Sequence, residues 1–351
     1  MIERALSLIK KLARDHSLTE AEYAELIESR TPELVGTLAE LAVDQRQRIY
    51  GNKVYVRGLI EVSNVCKNDC LYCGIRAGNK HCERYRLTKD EIMDCCREGY
   101  ALGFRTFVLQ GGEDANFDDA FVCGLVQQIK AEFPDCAVTL SLGERTRESY
   151  QALRLAGADR YLLRHETADA EHYSMLHPAS MSFDNRMRCL RDLKELGYQV
   201  GCGFMVGSPY QTSKHIAKDL KFIEKFKPDM CGIGPFIPQS DTPFGNFDAG
   251  TLELTCYLLS IIRLIHPRVL LPSTTALGSI HPTGREQGIL AGANVVMPNL
   301  SPASVRKKYA LYNGKVSDGS EAAECRAELA DRMSSIDYEV VTDRGDVASE
   351  K

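Results

Sequence analysis

A surplus of basic charge is missing from this sequence: 43 lysines and arginines stand against 48 aspartates and glutamates, a net charge of −5. A chain that tracks a phosphate backbone carries the opposite balance, so nucleic acid is excluded as the main partner. Long hydrophobic runs are missing too. The longest, near Cys256 to Ile265, is interrupted by Arg263 and is too short for a bilayer span. The opening stretch MIERALSLIKKLARDHS lacks the apolar core and small-residue cleavage site of a secretory signal, so a cytoplasmic protein without a membrane partner is expected. No G-x-x-x-x-G-K-[ST], H-E-x-x-H or G-x-S-x-G occurs, which leaves phosphoryl transfer, zincin hydrolysis and nucleophile-elbow hydrolysis without support. The glycines from Gly201 to Gly207 imitate a dinucleotide loop but hold one residue too many before the last glycine.

What is present points to a folded enzyme. With 351 residues, 44% hydrophobic and 26% charged, the chain can bury a full core. Its 13 cysteines are an odd number, and in a reducing cytosol that argues against a disulfide framework. Cys95, Cys96, Cys123, Cys189, Cys202, Cys231 and Cys256 fall within apolar patterns and read as small buried hydrophobes. His81, His165, His172, His177, His215, His266 and His281 show no ligand spacing.

From about Ala5 to Tyr50 leucines recur every three or four residues, which predicts a helical segment over 1–50. After Val54 short β-branched runs alternate with amphipathic stretches. Eight strands are expected: Val54 to Val62, Thr106 to Gln110, Ala137 to Leu142, Asp159 to Arg164, Gln199 to Val206, Met230 to Pro235, Val269 to Thr275 and Asn294 to Met297. Helix starts are marked by the capping box of Thr88 and Glu91, by Ser182 and by Thr212. Eight strands each followed by a helix specify an α/β fold with a parallel sheet, closed most simply as a (β/α)8 TIM-type barrel over 51–312; a doubly wound sheet is the alternative. The extension over 313–351 is polar and acidic, with one helix around Ala322 to Met333 and a mobile end.

Strand periodicity sorts the faces. Arg160, Leu162, Arg164 and Glu166 share one side, Tyr161, Leu163 and His165 the other, and Thr139 faces with Ser141. Barrel interiors are usually aliphatic, so charges there imply a wet or ligand-filled lumen. Two arginines against one glutamate favour an anionic ligand, although an internal ion pair would also satisfy them.

One cysteine group stands apart. Cys66, Cys70 and Cys73 are spaced C-x-x-x-C-x-x-C in the loop after the first strand. Three thiolates on a short loop can converge on metal: on zinc with Cys82 or His81 as fourth ligand, or on a 4Fe-4S cluster with one iron left open. Tyr72, just before the last cysteine, supplies an aromatic cover.

This spacing, with its aromatic and its place after the first barrel strand, resembles the radical S-adenosylmethionine superfamily. The stretch Val108 to Asp114, which contains Gln110, Gly111, Gly112 and Glu113, is similar to that superfamily's GGE-like motif. AVTLSLGE (from Ala137), DRYLLRHETA (from Asp159), GFMVGSPYQT (from Gly203), CGIGPFIPQSDTP (from Cys231) and GANVVMPNLSP (from Gly292) narrow the resemblance to its FeFe-hydrogenase maturase family, over about Gly51 to Tyr312. The resemblance implies one 4Fe-4S cluster on Cys66, Cys70 and Cys73, and S-adenosylmethionine cleaved to a 5′-deoxyadenosyl radical. It places Tyr72, Gln110, Gly111, Gly112, Glu113, Thr139, Ser141, Glu166, Arg186, Met205 and Ile237 around S-adenosylmethionine. It places Arg160, Arg164, Met230, Thr274, Thr275, Met297, Tyr309 and Tyr312 around a substrate and anion cavity. Implied partners are an organometallic iron or small-molecule substrate, an electron donor such as ferredoxin or flavodoxin, and other hydrogenase maturases. Relatives of the methylornithine synthase and biotin synthase type, acting on small organic substrates, are the enzyme alternative, and a non-catalytic metal-binding scaffold is the other. Many relatives carry three further cysteines near the C-terminus. After Cys256 only Cys325 occurs here, so a single cluster is expected.

Overall fold

The structure, a computed structural model, describes residues 2–349. Three helices lead: α1 (Ile2–Asp15), α2 (Glu20–Glu28) and α3 (Pro32–Tyr50). Then follow β1 (Lys53–Val56), β2 (Gly58–Ser63), α4 (Lys89–Ala101), β3 (Thr106–Gly111), α5 (Asp119–Glu132), β4 (Ala137–Ser141), α6 (Arg147–Leu155), β5 (Arg160–Leu162), α7 (Ala170–Leu176) and α8 (Phe183–Glu195). The second half holds β6 (Gln199–Cys202), β7 (Met205–Val206), α9 (Ser213–Phe226), β8 (Met230–Cys231), β9 (Gly234–Pro235), α10 (Leu252–Ile265), α11 (Thr275–Ile280), α12 (Gly284–Leu290) and β10 (Val295–Val296). It ends with α13 (Ala303–Arg306), two 3-10 turns, α14 (Arg326–Ser334) and β11 (Glu339–Val341). Local chemistry sets the helix starts. Thr88 accepts from Glu91 N–H while Glu91 reaches back to the Thr88 backbone, and Ser182 caps α8 through Asn185 N–H.

The strands are parallel, in the order β2-β3-β4-β5-β6-β8. Single parallel bridges carry the ring onward from Met230 to Leu270, from Pro272 to Val295, and from Asn299 back to Leu59 on β2. Eight strand positions thus encircle one lumen, with helices outside, as an α/β barrel requires. The expected strand Val269 to Thr275 is the weakest of them. Pro272 offers no N–H to a ladder, and at Thr275 the chain already enters α11. Val54 to Val62 divides at Arg57: β1 below it pairs with β10 and β11, and β2 above it pairs with β3.

Burial explains why these runs are strands. Every residue of β2 is buried, as are Thr106–Leu109 and Ala137–Leu140, the continuous pattern of strands covered on both faces. Tyr161 on the outer face of β5 meets Tyr150 of α6 and Tyr198 at ring distances of 5.0 and 6.0 Å. The leading helices lie on this outer layer, where Tyr257 of α10 donates to Leu26 O at 3.1 Å and Tyr23 of α2 to Glu224 of α9 at 3.1 Å.

The end of the chain differs from the expectation of a mobile tail. β11 pairs with β1, Lys53 opposite Glu339, and the residues after it turn under the barrel. Arg344 O accepts from Thr106 Oγ1 at 2.8 Å, Gly345 O from Arg57 at 3.2 Å, and Ala348 N–H donates to Tyr50 OH at 3.2 Å. The segment closes the floor of the lumen. Of the expected mobile end, residues 350 and 351 lie outside the described residues.

Candidate functional site

The Cys66–Cys73 loop leaves β2 at the carboxyl end of the barrel. It has no regular secondary structure, and one guanidinium organises it: Arg84 donates to the carbonyls of Asn64, Ile75, Arg76 and Asn79 at 2.6 to 3.2 Å. Asn64 adds bonds to Tyr85 N, Glu83 O and Lys308 O at 2.7 to 2.8 Å. The turn after β3 packs against this loop. Glu113 N–H points at Cys66 Sγ from 3.4 Å, and Lys67 N–H donates to Glu113 O at 3.0 Å. At Gly112 a Cβ would sit 2.3 Å from Val65 O and 2.7 Å from Cys66 Cβ, so only glycine permits the approach. The carboxylate of Glu113 is held by Glu144 N–H at 2.9 Å and Lys67 at 3.1 Å. Its role here is to lock the turn onto the loop.

All three thiols are half-buried. Burial pushes each of them up, that of Cys73 to about 12, and at Cys70 the neighbouring Cys73 and Cys66 charges push further while Arg186 opposes them. Thiols so placed become thiolates when a metal centre supplies the positive charge. His81 is bonded to Asp241 at 2.8 Å and Cys82 Sγ lies 3.5 Å from Asn64 Nδ2, so neither completes a zinc set. Among the described residues no three His, Cys, Asp or Glu side chains converge closely enough for a single ion. Soft thiolate donors suit an iron-sulfur centre.

Beside the loop, the lumen holds polar atoms without partners. Arg164 Nε and Thr274 Oγ1 are buried and unbonded, as is Thr139 Oγ1 deeper in the lumen, level with Arg160, and Glu166 Oε2 meets only a cation. Arg164 Nη2 lies 3.1 Å from Glu166 Oε2. Glu166 takes a left-handed backbone, φ +66°, a conformation that costs a side-chain-bearing residue on the order of 1–3 kcal/mol and clusters at ligand sites. Its charge reaches Tyr72, Cys70 and Cys73, which places the carboxylate by the loop. Such unmet donors and acceptors fit a polar, zwitterionic group such as S-adenosylmethionine.

The other expected residues distribute as follows. Tyr72 is held by His177 at 3.2 Å and, with Leu71, borders an apolar cluster of Leu176, Met205, Phe236 and Phe244; Ile237 follows β9, half-buried. Gln110 and Ser141 lie opposite each other at the ends of β3 and β4. Gln110 also meets the buried Tyr309. Gly111 sits opposite Ser63 of β2 and leads into the turn where Gly112 N–H donates to Ser63 O at 3.0 Å. Arg186 is spent on Glu144 at 2.6 Å and on Arg164 O at 2.5 Å, so it supports Arg164 from behind. Thr274 caps α11 without using its hydroxyl, Thr275 begins that helix, Tyr312 bonds Ser279, and half-buried Met297 packs on the cluster at the floor.

Two expectations are corrected. Arg160 does not join Arg164 in an anion cavity: it starts β5 at the opposite end, where it donates to Asp346 at 2.5 Å, Gln199 at 3.0 Å and Thr106 at 3.0 Å. Met230 belongs to the same floor, its sulfur 2.8 Å from Arg57 Nη1. Both line a small void of about 10 Å³ that also borders Arg57, Thr139 and Leu162. Two further groups went unread. Glu61 is fully buried on β2, paired with Lys315 and bonded by Asn299 at 2.9 Å, while Lys315 lies 4.9 Å over the Tyr309 ring. A carboxylate inside the apolar run before Cys66 was the signal for it.

Residues 60–223 match the sequence profile of the Radical SAM superfamily. The chain is 47% identical over 279 residues to the FeFe hydrogenase maturase subunit HydE of Thermotoga maritima, covering 80% of this chain and 79% of that one. It is 30% identical to a 3-methylornithine synthase of Methanosarcina acetivorans over 87% of this chain and 86% of the relative. In structure it superposes on methylornithine synthase with a TM-score of 0.85 at 27% identity, covering 95% of this chain and 97% of the other.

Proposed function

The chain belongs to the HydE family of radical S-adenosylmethionine enzymes, and from that premise we propose that it acts as a cytoplasmic maturase in assembling the di-iron subcluster, the H-cluster, of FeFe-hydrogenase. The observation that carries the reading is the packing of the Cys66–Cys73 loop onto Gly112 and Glu113, with the Glu166 and Arg164 pair and the unbonded Arg164 Nε beside it. Cys66, Cys70 and Cys73 would hold a single 4Fe-4S cluster, which with S-adenosylmethionine and an electron from an external donor would supply radical chemistry in the lumen.

The chain's own groups bind, orient and exclude water. Glu166 accepts hydrogen bonds from the ribose or ammonium of S-adenosylmethionine, and Thr139, Ser141 and Gln110 offer further polar contacts. Met205, Ile237 and Tyr72 wall the adenine. Arg164, steadied by Arg186, and Thr274 with its free hydroxyl present donors to an iron species carrying carbonyl, cyanide and cysteine. The floor built by Arg160, Arg57 and the 343–349 segment closes the far end of the lumen against solvent.

Anaerobic reconstitution of wild type beside Cys70→Ala tests the reading. Wild type binds about four irons and forms 5′-deoxyadenosine under reduction, and Cys70→Ala does neither. Zinc in place of iron, or an intact cluster without cleavage, leaves a non-catalytic scaffold as the better account.

A further inference from the structure

Behind Glu166 lie two buried titratable groups that the reaction does not touch. Asp219 on α9 and His165 on the outer face after β5 are both fully buried. Asp219 Oδ1 accepts the backbone N–H of Ala168 at 2.5 Å, two residues beyond Glu166. His165 Nδ1 accepts Gly203 N–H at 3.3 Å, which leaves its proton on Nε2, 3.3 Å from Asp219 Oδ1. The imidazole is clamped between Phe204 and Phe222, with ring centres 5.9 and 4.7 Å away. Gly203 serves both sides of the turn, because its carbonyl accepts Glu166 N–H at 3.0 Å. A Cβ at Gly203 would lie 2.0 Å from Gly232 O, so this anchor is tied to the neighbouring strand.

An aliphatic pair would fill the same space without desolvating two polar groups. What the polar pair adds is direction. His165 holds Gly203, whose carbonyl receives Glu166 N–H, and Asp219 holds Ala168 two residues on, so the chain is anchored on both sides of a residue whose φ of +66° has no intrinsic reason to persist. Burial drives His165 down to about 3, so the ring is neutral; it is tied to Gly203 through Nδ1, while Nε2 faces Asp219 at 3.3 Å without forming a hydrogen bond.

We propose that His165 and Asp219 are positioning residues that act through Glu166, holding its left-handed turn so that the carboxylate is presented to S-adenosylmethionine. This rests on the reading of Glu166 given above. The experiment measures S-adenosylmethionine affinity by calorimetry on the anaerobically reconstituted full chain without reductant, together with iron content and melting temperature. Glu166→Gln tests the contact itself and is expected to weaken binding at least tenfold. Asp219→Leu is expected to match that loss with iron content unchanged. Asp219→Asn, whose amide oxygen still accepts from Ala168, stays within threefold of wild type.

Wild-type affinity in Asp219→Leu beside a weakened Glu166→Gln overturns the positioning role alone. Wild-type affinity in Glu166→Gln overturns the reading beneath it. Should Asp219→Leu fail to load iron, His165→Phe decides, since it keeps the ring packing and removes both nitrogens: a tenfold loss supports the positioning role and unchanged affinity refutes it.

Discussion

Asp346 reaches under the barrel and receives Arg160 Nη2 at 2.5 Å, so the floor of the lumen is sealed by the end of the chain. Arg160 is 3% exposed, and removal of its partner leaves a buried guanidinium with only neutral acceptors. Asp346→Asn should therefore cost about 1–3 kcal/mol, less than a fully buried pair because the aspartate is partly exposed. Burial raises the Asp346 carboxyl, but hydrogen bonds from Arg344 and the charge of Arg160 outweigh it and hold it well below the usual range. Its contribution is present above about pH 4 and lost as pH falls further. Urea midpoints at pH 5 and pH 3 should fall more steeply in wild type than in Asp346→Asn.

Lys315 and Glu61 offer a second buried pair. Glu61 has no exposure, so Lys315→Met strands its carboxylate and should destabilise the fold by roughly 3–5 kcal/mol. The double variant Lys315→Met with Glu61→Gln should recover most of that loss in chemical denaturation. A single variant as stable as wild type would contradict the pairing.

Gly112→Ala forces a methyl to within 2.3 Å of Val65 O, at the base of the cysteine loop. Overpacking of this kind costs about 1–3 kcal/mol, and here the displaced element carries the thiols. The variant should fold, melt a few degrees lower and load less than half of the wild-type iron. Unchanged iron content would show that the turn does not set the loop.

His177, stacked on Tyr173 at 3.9 Å, is pushed down to about 3 by burial. The unfolded chain therefore binds a proton that the folded chain does not, and the stability it contributes is lost as pH drops below about 6.5. His177→Gln should flatten the loss of stability between pH 6.5 and 5, measured by urea midpoints. An identical pH slope in the two proteins would contradict a neutral His177.

Much of the site was legible because its signals are local. The Cys66–Cys73 spacing, the glycines at 111 and 112, and the two-residue alternation that put Arg160, Leu162 and Arg164 inward all act over a few residues. Alternation ends at Glu166, where the backbone turns left-handed, and no pattern announces that. The tail was unreadable for a different reason. Asp346 and Arg160 are 186 residues apart, and a polar, acidic stretch looks solvated until its partner is known. A separation of 254 residues hid Lys315 from Glu61 in the same way. Arg84 was silent too, since its four partners are backbone carbonyls, which every sequence contains.

The central claim is that this chain matures FeFe-hydrogenase. The direct measurement is in vitro activation of apo-hydrogenase in a maturation mixture that contains every other component and lacks only this one. Adding the reconstituted wild-type chain should restore hydrogen evolution, and adding Cys70→Ala should not. Failure of wild type to restore it, with S-adenosylmethionine cleavage intact and 3-methylornithine formed from an amino acid instead, would contradict the account.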